Sequence, residues 1–203
     1  MPCCEWRVPL AGISRVFANR VLLLSLLGAA VLAPLPPAAQ ADQTDGRLDA
    51  LFEVLETTGD RQAARAAEAE IWRIWTESGR RDIDALMIEG VGAMSSRRIE
   101  DAIAIFGRIT ESAPEFAEGW NKRATAYYLN QDYADSVRDI QRTLELEPRH
   151  FGAISGMGLI FLSRGDEVGA LAAFEAVLAI YPHAPGARER VEGLRRLLLE
   201  RGA

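Results

Sequence analysis

His150 and His183 are the only histidines in the chain, and Asp82 and Asp84 form a close acidic pair. These are the side chains whose types suit acid–base or metal chemistry. A metal site needs histidine joined by carboxylates or thiolates at ligand spacing, and neither histidine has such companions. Isolated histidines more often cap a helix or sit at the surface. The Asp82–Asp84 pair reads as solvated charge on a surface turn. There is no G-x-S-x-G, no phosphate-cradling glycine loop and no H-E-x-x-H. The expectation is therefore no enzyme, no cofactor and no metal. What is left is a polar cluster, Asn121-Lys122-Arg123, inside a segment whose Trp120, Ala124 and Tyr127 fall at helical spacing.

The N-terminus differs from the rest. Arg7, Arg15 and Arg20 stand against one acid, Glu5, and are followed by the apolar run Val21 to Ala33 and a Pro-rich stretch ending Ala39-Gln40-Ala41. A basic region, a short apolar region and an A-x-A site predict a secretory signal peptide over residues 1–41, cut after Ala41. The run is shorter than the ~20 residues that span a bilayer, so no stable membrane span is expected after cleavage. The alternative is an uncleaved inner-membrane anchor. Cys3 and Cys4 both precede the apolar run, so cleavage leaves a cysteine-free chain without disulfides or thiolate chemistry. Cleavage also removes three arginines and one glutamate, taking the net charge from −6 to −8. That balance is wrong for nucleic acid, where neutralising phosphate supplies most of the affinity. The expected location is periplasmic or secreted.

Pro114, Pro148 and Pro182 are each separated by 34 residues. Setting proline at position 32 divides residues 83–184 into three units. Position 8 is then Gly90, Ala124, Gly158; position 20 is Ala102, Ser136, Ala170; position 24 is Phe106, Ile140, Phe174. Position 4 is Leu86, Trp120, Ile154, and position 11 is Ala93, Tyr127, Phe161. This pattern resembles the tetratricopeptide repeat, departing from it at Ala93 and Ile140. The physics agrees. Each unit holds two apolar helical stripes around a short turn, and neither stripe can be buried without a neighbour.

The resemblance implies an all-α, right-handed superhelix of antiparallel helix pairs. A degenerate unit over 42–82 precedes the three repeats, its Gly59-Asp60 turn aligned with Gly165-Asp166. Its second helix is expected to be one turn longer, carrying Ile71, Trp72, Ile74 and Trp75. Residues 185–203 read as a capping helix, with Val191, Leu194, Leu197 and Leu198 on one face and charge on the other.

In this family the first helix of each pair lines a concave groove, commonly through positions 2, 5, 9, 12 and 13. Carried over, these are Asp84, Met87, Val91, Met94 and Ser95; then Glu118, Asn121, Thr125, Tyr128 and Leu129; then Gly152, Ser155, Leu159, Leu162 and Ser163. The degenerate unit adds Gly46, Asp49, Glu53 and Glu56, an acidic end. Lys122 is expected at the groove or its rim. Some family members grip a carboxylate with Lys, Asn and Arg on several such helices. Here only Asn121 and Lys122 fall in such places, so a mixed apolar and hydroxyl groove for a peptide or helix is the better expectation. The groove could instead be filled by the C-terminal helix or a neighbouring subunit.

Arg123 falls at position 7, where the family places an aliphatic residue. A buried guanidinium needs a carboxylate, and Asp139 on the second helix of the same unit is the preferred partner. A buried anion grip is the other reading. Gly152, Gly156 and Gly158, costly inside a helix, mark close approach of a helix or a ligand. The function expected is a non-catalytic adaptor or scaffold of the bacterial cell envelope that binds a protein or peptide. The alternative is a small amphiphile held between Met87/Val91/Met94 and Leu159/Leu162.

Overall fold

Position 15 of each repeat sets the turn between its two helices. Arg97 (φ 58°), Gln131 (φ 66°) and Gly165 (φ 73°) all take the left-handed conformation there. In each turn the next residue's N–H reaches back five residues: Arg98 to Ala93 O, Asp132 to Tyr127 O and Asp166 to Phe161 O, all at 2.9 Å. This hydrogen bond closes a helix end in a Schellman-type turn. Glycine takes the conformation freely, whereas Arg97 and Gln131 hold it at about 1 kcal/mol each.

The turns join α3 (Arg81–Ser95) to α4 (Ile99–Ser112), α5 (Ala117–Leu129) to α6 (Tyr133–Leu146) and α7 (Phe151–Ser163) to α8 (Glu167–Ile180). The protein is described by a computed structural model over residues 45–202. Among the described residues the chain is all helix, opening with α1 (Arg47–Thr57) and α2 (Arg61–Thr76) and closing with α9 (Ala187–Gly202). The expected signal peptide and the cut after Ala41 lie outside the described residues. No helix among the described residues is long and apolar enough to cross a membrane.

Each repeat closes on a small residue. A Cβ added to Gly90 would lie 2.5 Å from the Phe106 ring, and one added to Gly158 would lie 2.9 Å from Phe174. In the middle repeat Ala124 takes the equivalent place, and Ser136 Oγ donates to its carbonyl at 2.8 Å. Ser136 can therefore be polar and fully buried without leaving an unpaired group. Helix α9 buries Val191 and Leu194 against Ala170 and Phe174 and turns Arg188, Glu189, Arg190, Glu192, Arg195 and Arg196 outward.

The α1–α2 pair departs from the expected stack. Gly59 is not left-handed, and Thr58 before it is extended, so the link is not the repeat turn. Helix α2 has 16 residues against 14 in α4, α6 and α8, two more rather than a full turn. The remaining extra residues form the link to α3. There Ser78 donates through its N–H (2.9 Å) and its hydroxyl (2.6 Å) to Asp84. Asp82 pairs with Arg80 at 2.6 Å. Both acids thus lie in the first turn of α3, not on a free surface turn. There they complement the positive end of the helix dipole.

The destination of the hairpin is the larger difference. Its Leu48, Phe52, Leu55, Ile71, Ile74 and Trp75 do not extend the row of repeats. They form one core with Phe151 at the start of α7, Val177 and Tyr181 at the end of α8, and Ala187 of α9. Helix α1 meets α8, and α2 meets α5. The acidic groove end expected from Gly46, Asp49, Glu53 and Glu56 is consequently not formed. These residues are exposed, and Asp49 pairs with Arg149 at 2.8 Å.

Candidate partner-binding groove

The N-terminal halves of α5 and α7 lie under the hairpin, and one buried carboxylate organises that zone. Glu118 is 1% exposed. Lys122 Nζ lies 2.8 Å from its Oε1. Asn121 Nδ2 donates to Oε2 at 2.9 Å, and His150 Nε2 lies 3.0 Å from the same oxygen. His150 also caps α7, since its Nδ1 accepts from Ala153 N–H at 3.1 Å. A nitrogen that accepts carries no proton, so Nε2 holds the proton and donates to Glu118. Burial alone would raise the Glu118 carboxyl. The Lys122 ammonium and then His150 outweigh burial and hold it below its usual value.

A carboxyl depressed in the folded state contributes stability that is complete above its usual value of 4.5 and is lost as pH falls through the folded value. The wild-type urea midpoint is therefore expected to fall more steeply than that of Glu118→Gln as pH falls below about 4.5. Parallel curves for the two proteins would remove Glu118 from the acid response.

The hairpin seals this zone with two indoles. Trp75 stacks on the His150 ring at 4.0 Å and 9°. Trp72 lies edge-on to Phe151 at 5.5 Å, with Lys122 Nζ 5.5 Å from its ring centre. A Cβ on Gly152 would lie 2.7 Å from Trp72, so only glycine admits the indole. Gly152 and Gly158 thus both mark close helix contacts, whereas a Cβ on Gly156 would meet Ile140 at an ordinary 3.5 Å. The hairpin is no removable lid. Leu48, Leu55, Ile71, Ile74 and Trp75 are each at most 2% exposed, and burying each such side chain contributes about 1.5–3 kcal/mol.

The expected groove residues therefore divide. Glu118 and Asn121 are buried, and Lys122 is held on Glu118. Ser155 is half-buried, and Met87 is buried in the α3–α4 core. Glu118, Asn121, Lys122 and Met87 are corrections to the groove reading: the hairpin or the repeat core occupies the space a partner would use, whereas Ser155 is no more covered than Leu159. The C-terminal halves of the same helices stay open. Val91 is 38% exposed and Leu129 51% exposed. Thr125 is exposed, and Met94, Tyr128, Leu159 and Leu162 are half-buried. The Tyr128 hydroxyl lies 3.4 Å from Ser163 Oγ, joining α5 to α7 across this strip.

Arg123 belongs to neither half. Its Nε and Nη2 donate to Asp139 at 2.7 and 2.9 Å, and its Nη1 donates to Thr110 at 2.7 Å. The guanidinium also lies 4.9 Å from the Trp120 ring centre. Three of its five N–H groups are engaged inside the fold and its charge is matched by Asp139, which makes it a structural pair and not an anion grip. The second histidine, His183, lies with Nε2 3.1 Å from Thr58 O. No cluster of His, Cys, Asp and Glu suited to a metal occurs among the described residues. Sequence reasoning missed Trp72, Trp75 and His150 as the residues that close half the groove. Trp72 and Trp75 at i, i+3 beside the helix-interior Gly152 were the available signal.

Comparison with known proteins places this geometry. The tetratricopeptide repeat profile matches residues 89–139 and 122–185. A TPR repeat-containing protein of Rhizobium etli is 37% identical over 148 residues, covering 73% of this chain and 72% of that protein. The Sgt2 TPR domain from Aspergillus fumigatus superposes with a TM-score of 0.56 at 22% identity, covering 61% of this chain and 83% of that one. The first TPR of Spaghetti (RPAP3), solved bound to an HSP90 peptide, superposes with a TM-score of 0.55 at 19% identity, covering 58% and 93%.

Proposed function

Since the chain belongs to the tetratricopeptide repeat family, we propose that it is a protein-interaction module that receives an apolar partner segment on the open half of its groove. The observation that carries this reading is the strip of Val91, Met94, Tyr128, Leu129, Leu159 and Leu162, in which Val91 and Leu129 are exposed and the other four half-buried beside hydroxyls. Exposed apolar surface rimmed by polar groups marks an interaction site more often than an ornament of a monomer. The flexible thioether of Met94 suits varied side chains, and the Thr125 and Ser163 hydroxyls, whose protons go to the Asn121 and Leu159 carbonyls, supply acceptors. The peptide held by the RPAP3 domain supports the class of ligand. Its carboxylate chemistry does not transfer, because Asn121 and Lys122 are already engaged by Glu118.

The chain acts as an adaptor or scaffold in a bacterial cell envelope, exported by its N-terminal segment and released after Ala41. The basic, apolar and A-x-A order of that segment supports export. The small-amphiphile alternative loses ground, since Met87 is only 6% exposed and cannot line a ligand cavity.

Site-specific photo-crosslinking in the native host tests the reading. A crosslinker at Leu129 is expected to yield a discrete adduct that Tyr128→Ala abolishes, and one at the exposed Arg108 on α4 should yield none. The recovered protein should begin at Asp42. Equal adducts from both positions would remove the groove as the site, and recovery of Met1 would remove the cleavage.

A further inference from the structure

A cleft of about 150 Å³ lies between the first turns of α2 and the turn that joins α8 to α9. Its walls carry Arg61 and Arg65 from α2, Tyr181 and His183 from the turn, and Arg188 and Glu189 from the start of α9. We infer that this cleft is a binding site for a small oxyanion of the phosphate or phosphomonoester class.

Three guanidiniums face one carboxylate in the lining, on a chain whose net charge is −6. None of the three forms an ion pair among the described residues. Arg61 and Arg65 sit one turn apart on α2, so they present their charge side by side. Arg188 Nη2 donates to Pro182 O at 3.2 Å, which fixes that guanidinium at the opposite wall while leaving it other N–H groups. Glu68 lies behind the Tyr181 wall, where it accepts from the Tyr181 hydroxyl at 3.0 Å and keeps its charge, so the three guanidiniums outnumber Glu68 and Glu189 by one. His183 donates its Nε2–H to the Thr58 carbonyl at 3.1 Å. The cleft also opens at the start of α9, a helix of 16 residues whose positive dipole end favours an anion.

Guanidinium forks match tetrahedral oxyanions, whose several oxygens can each accept from a different arginine. Arms from two elements distant in sequence favour a doubly charged phosphate over a single carboxylate. The volume accommodates a phosphate group. The site also has a structural consequence. One wall belongs to the hairpin and the other to the α8–α9 turn, so a bound anion bridges the seam through which the hairpin is seated.

Titration of the full chain with inorganic phosphate at constant ionic strength, chloride being the balancing salt, tests this. The expected result is a saturable one-to-one heat and a urea midpoint that climbs with phosphate but not with chloride. Arg61→Gln/Arg65→Gln should leave the midpoint without phosphate unchanged, because both side chains are exposed, and should weaken phosphate binding roughly tenfold or more. If that variant fails to fold, Arg188→Gln on the facing wall carries the same expectation. Glycerol phosphate in place of phosphate distinguishes a phosphomonoester from the free ion: comparable binding assigns the monoester class, and exclusion assigns inorganic phosphate. No saturable response to either ligand, or an equal response in wild type and variants, overturns the site.

Discussion

Trp75→Ala is expected to cost about 3–5 kcal/mol in chemical denaturation, within reach of the entire stability of an ordinary domain. Trp75 is 2% exposed and packs against rings on both sides of the seam. It stacks on His150 at 4.0 Å, and its ring centre lies 5.1 Å from Phe151 and 5.9 Å from Phe52. Truncation would leave a cavity between the hairpin and the repeats that rigid helices cannot collapse to fill. The loss has a specific chemical sequel. His150 would no longer be covered, and water would reach the Glu118 carboxylate it serves. Trp75→Phe is the informative companion. The indole Nε1 finds no acceptor among the described residues, so removing that N–H relieves a buried unpaired donor worth about 1–3 kcal/mol. The phenylalanine variant should therefore lose much less than the alanine variant. Equal losses in the two variants would mean that stacking area is not what seats the hairpin.

Arg123→Met should be about as damaging, by a different route. The Arg123 side chain is 18% exposed and that of Asp139 6%. Their two-pronged contact therefore sits in surroundings where a lone carboxylate is costly. Breaking such a pair by removing one partner costs about 3–5 kcal/mol. Thr110 would lose the donor that reaches its hydroxyl at 2.7 Å. The double variant Arg123→Met/Asp139→Leu is expected to recover a clear part of the loss, because it removes the stranded charge instead of exposing its cost. Urea denaturation of the wild type, the two single variants and the double variant gives the coupling directly. A double variant as unstable as the sum of the singles would show that the two residues act independently and that Arg123 stabilises through Trp120 and Tyr127 alone.

Both predictions concern residues that leave the open strip of the groove untouched, which allows stability and partner capture to be separated. A partner that binds along Tyr128 and Leu129 should tolerate Trp75→Phe. Loss of capture with that variant would place the partner on the covered half, against the burial of Glu118 and Asn121.

Local patterning in the chain is enough to specify the repeats and whatever lies inside one of them. Proline every 34 residues ends each second helix, and paired small and aromatic residues at Gly90/Phe106 and Gly158/Phe174 fix how each pair closes. The Arg123–Asp139 pair was legible for the same reason. Sixteen residues apart, the two side chains are brought together by the helix–turn–helix geometry alone. The destination of the first hairpin emerges from long-range packing alone. An apolar stripe states that a face must be covered but not by what, and the stripe of α2 suits the side of α3 as well as the ends of α7 and α8. The choice rests on contacts between residues far apart in the chain, Asp49 with Arg149 across 100 residues and Glu68 with Tyr181 across 113. It rests as well on a notch at Gly152 that fits Trp72. No local pattern encodes such a meeting, and that one placement turned Glu118 and Asn121 from a groove into a core and engaged Lys122 with Glu118.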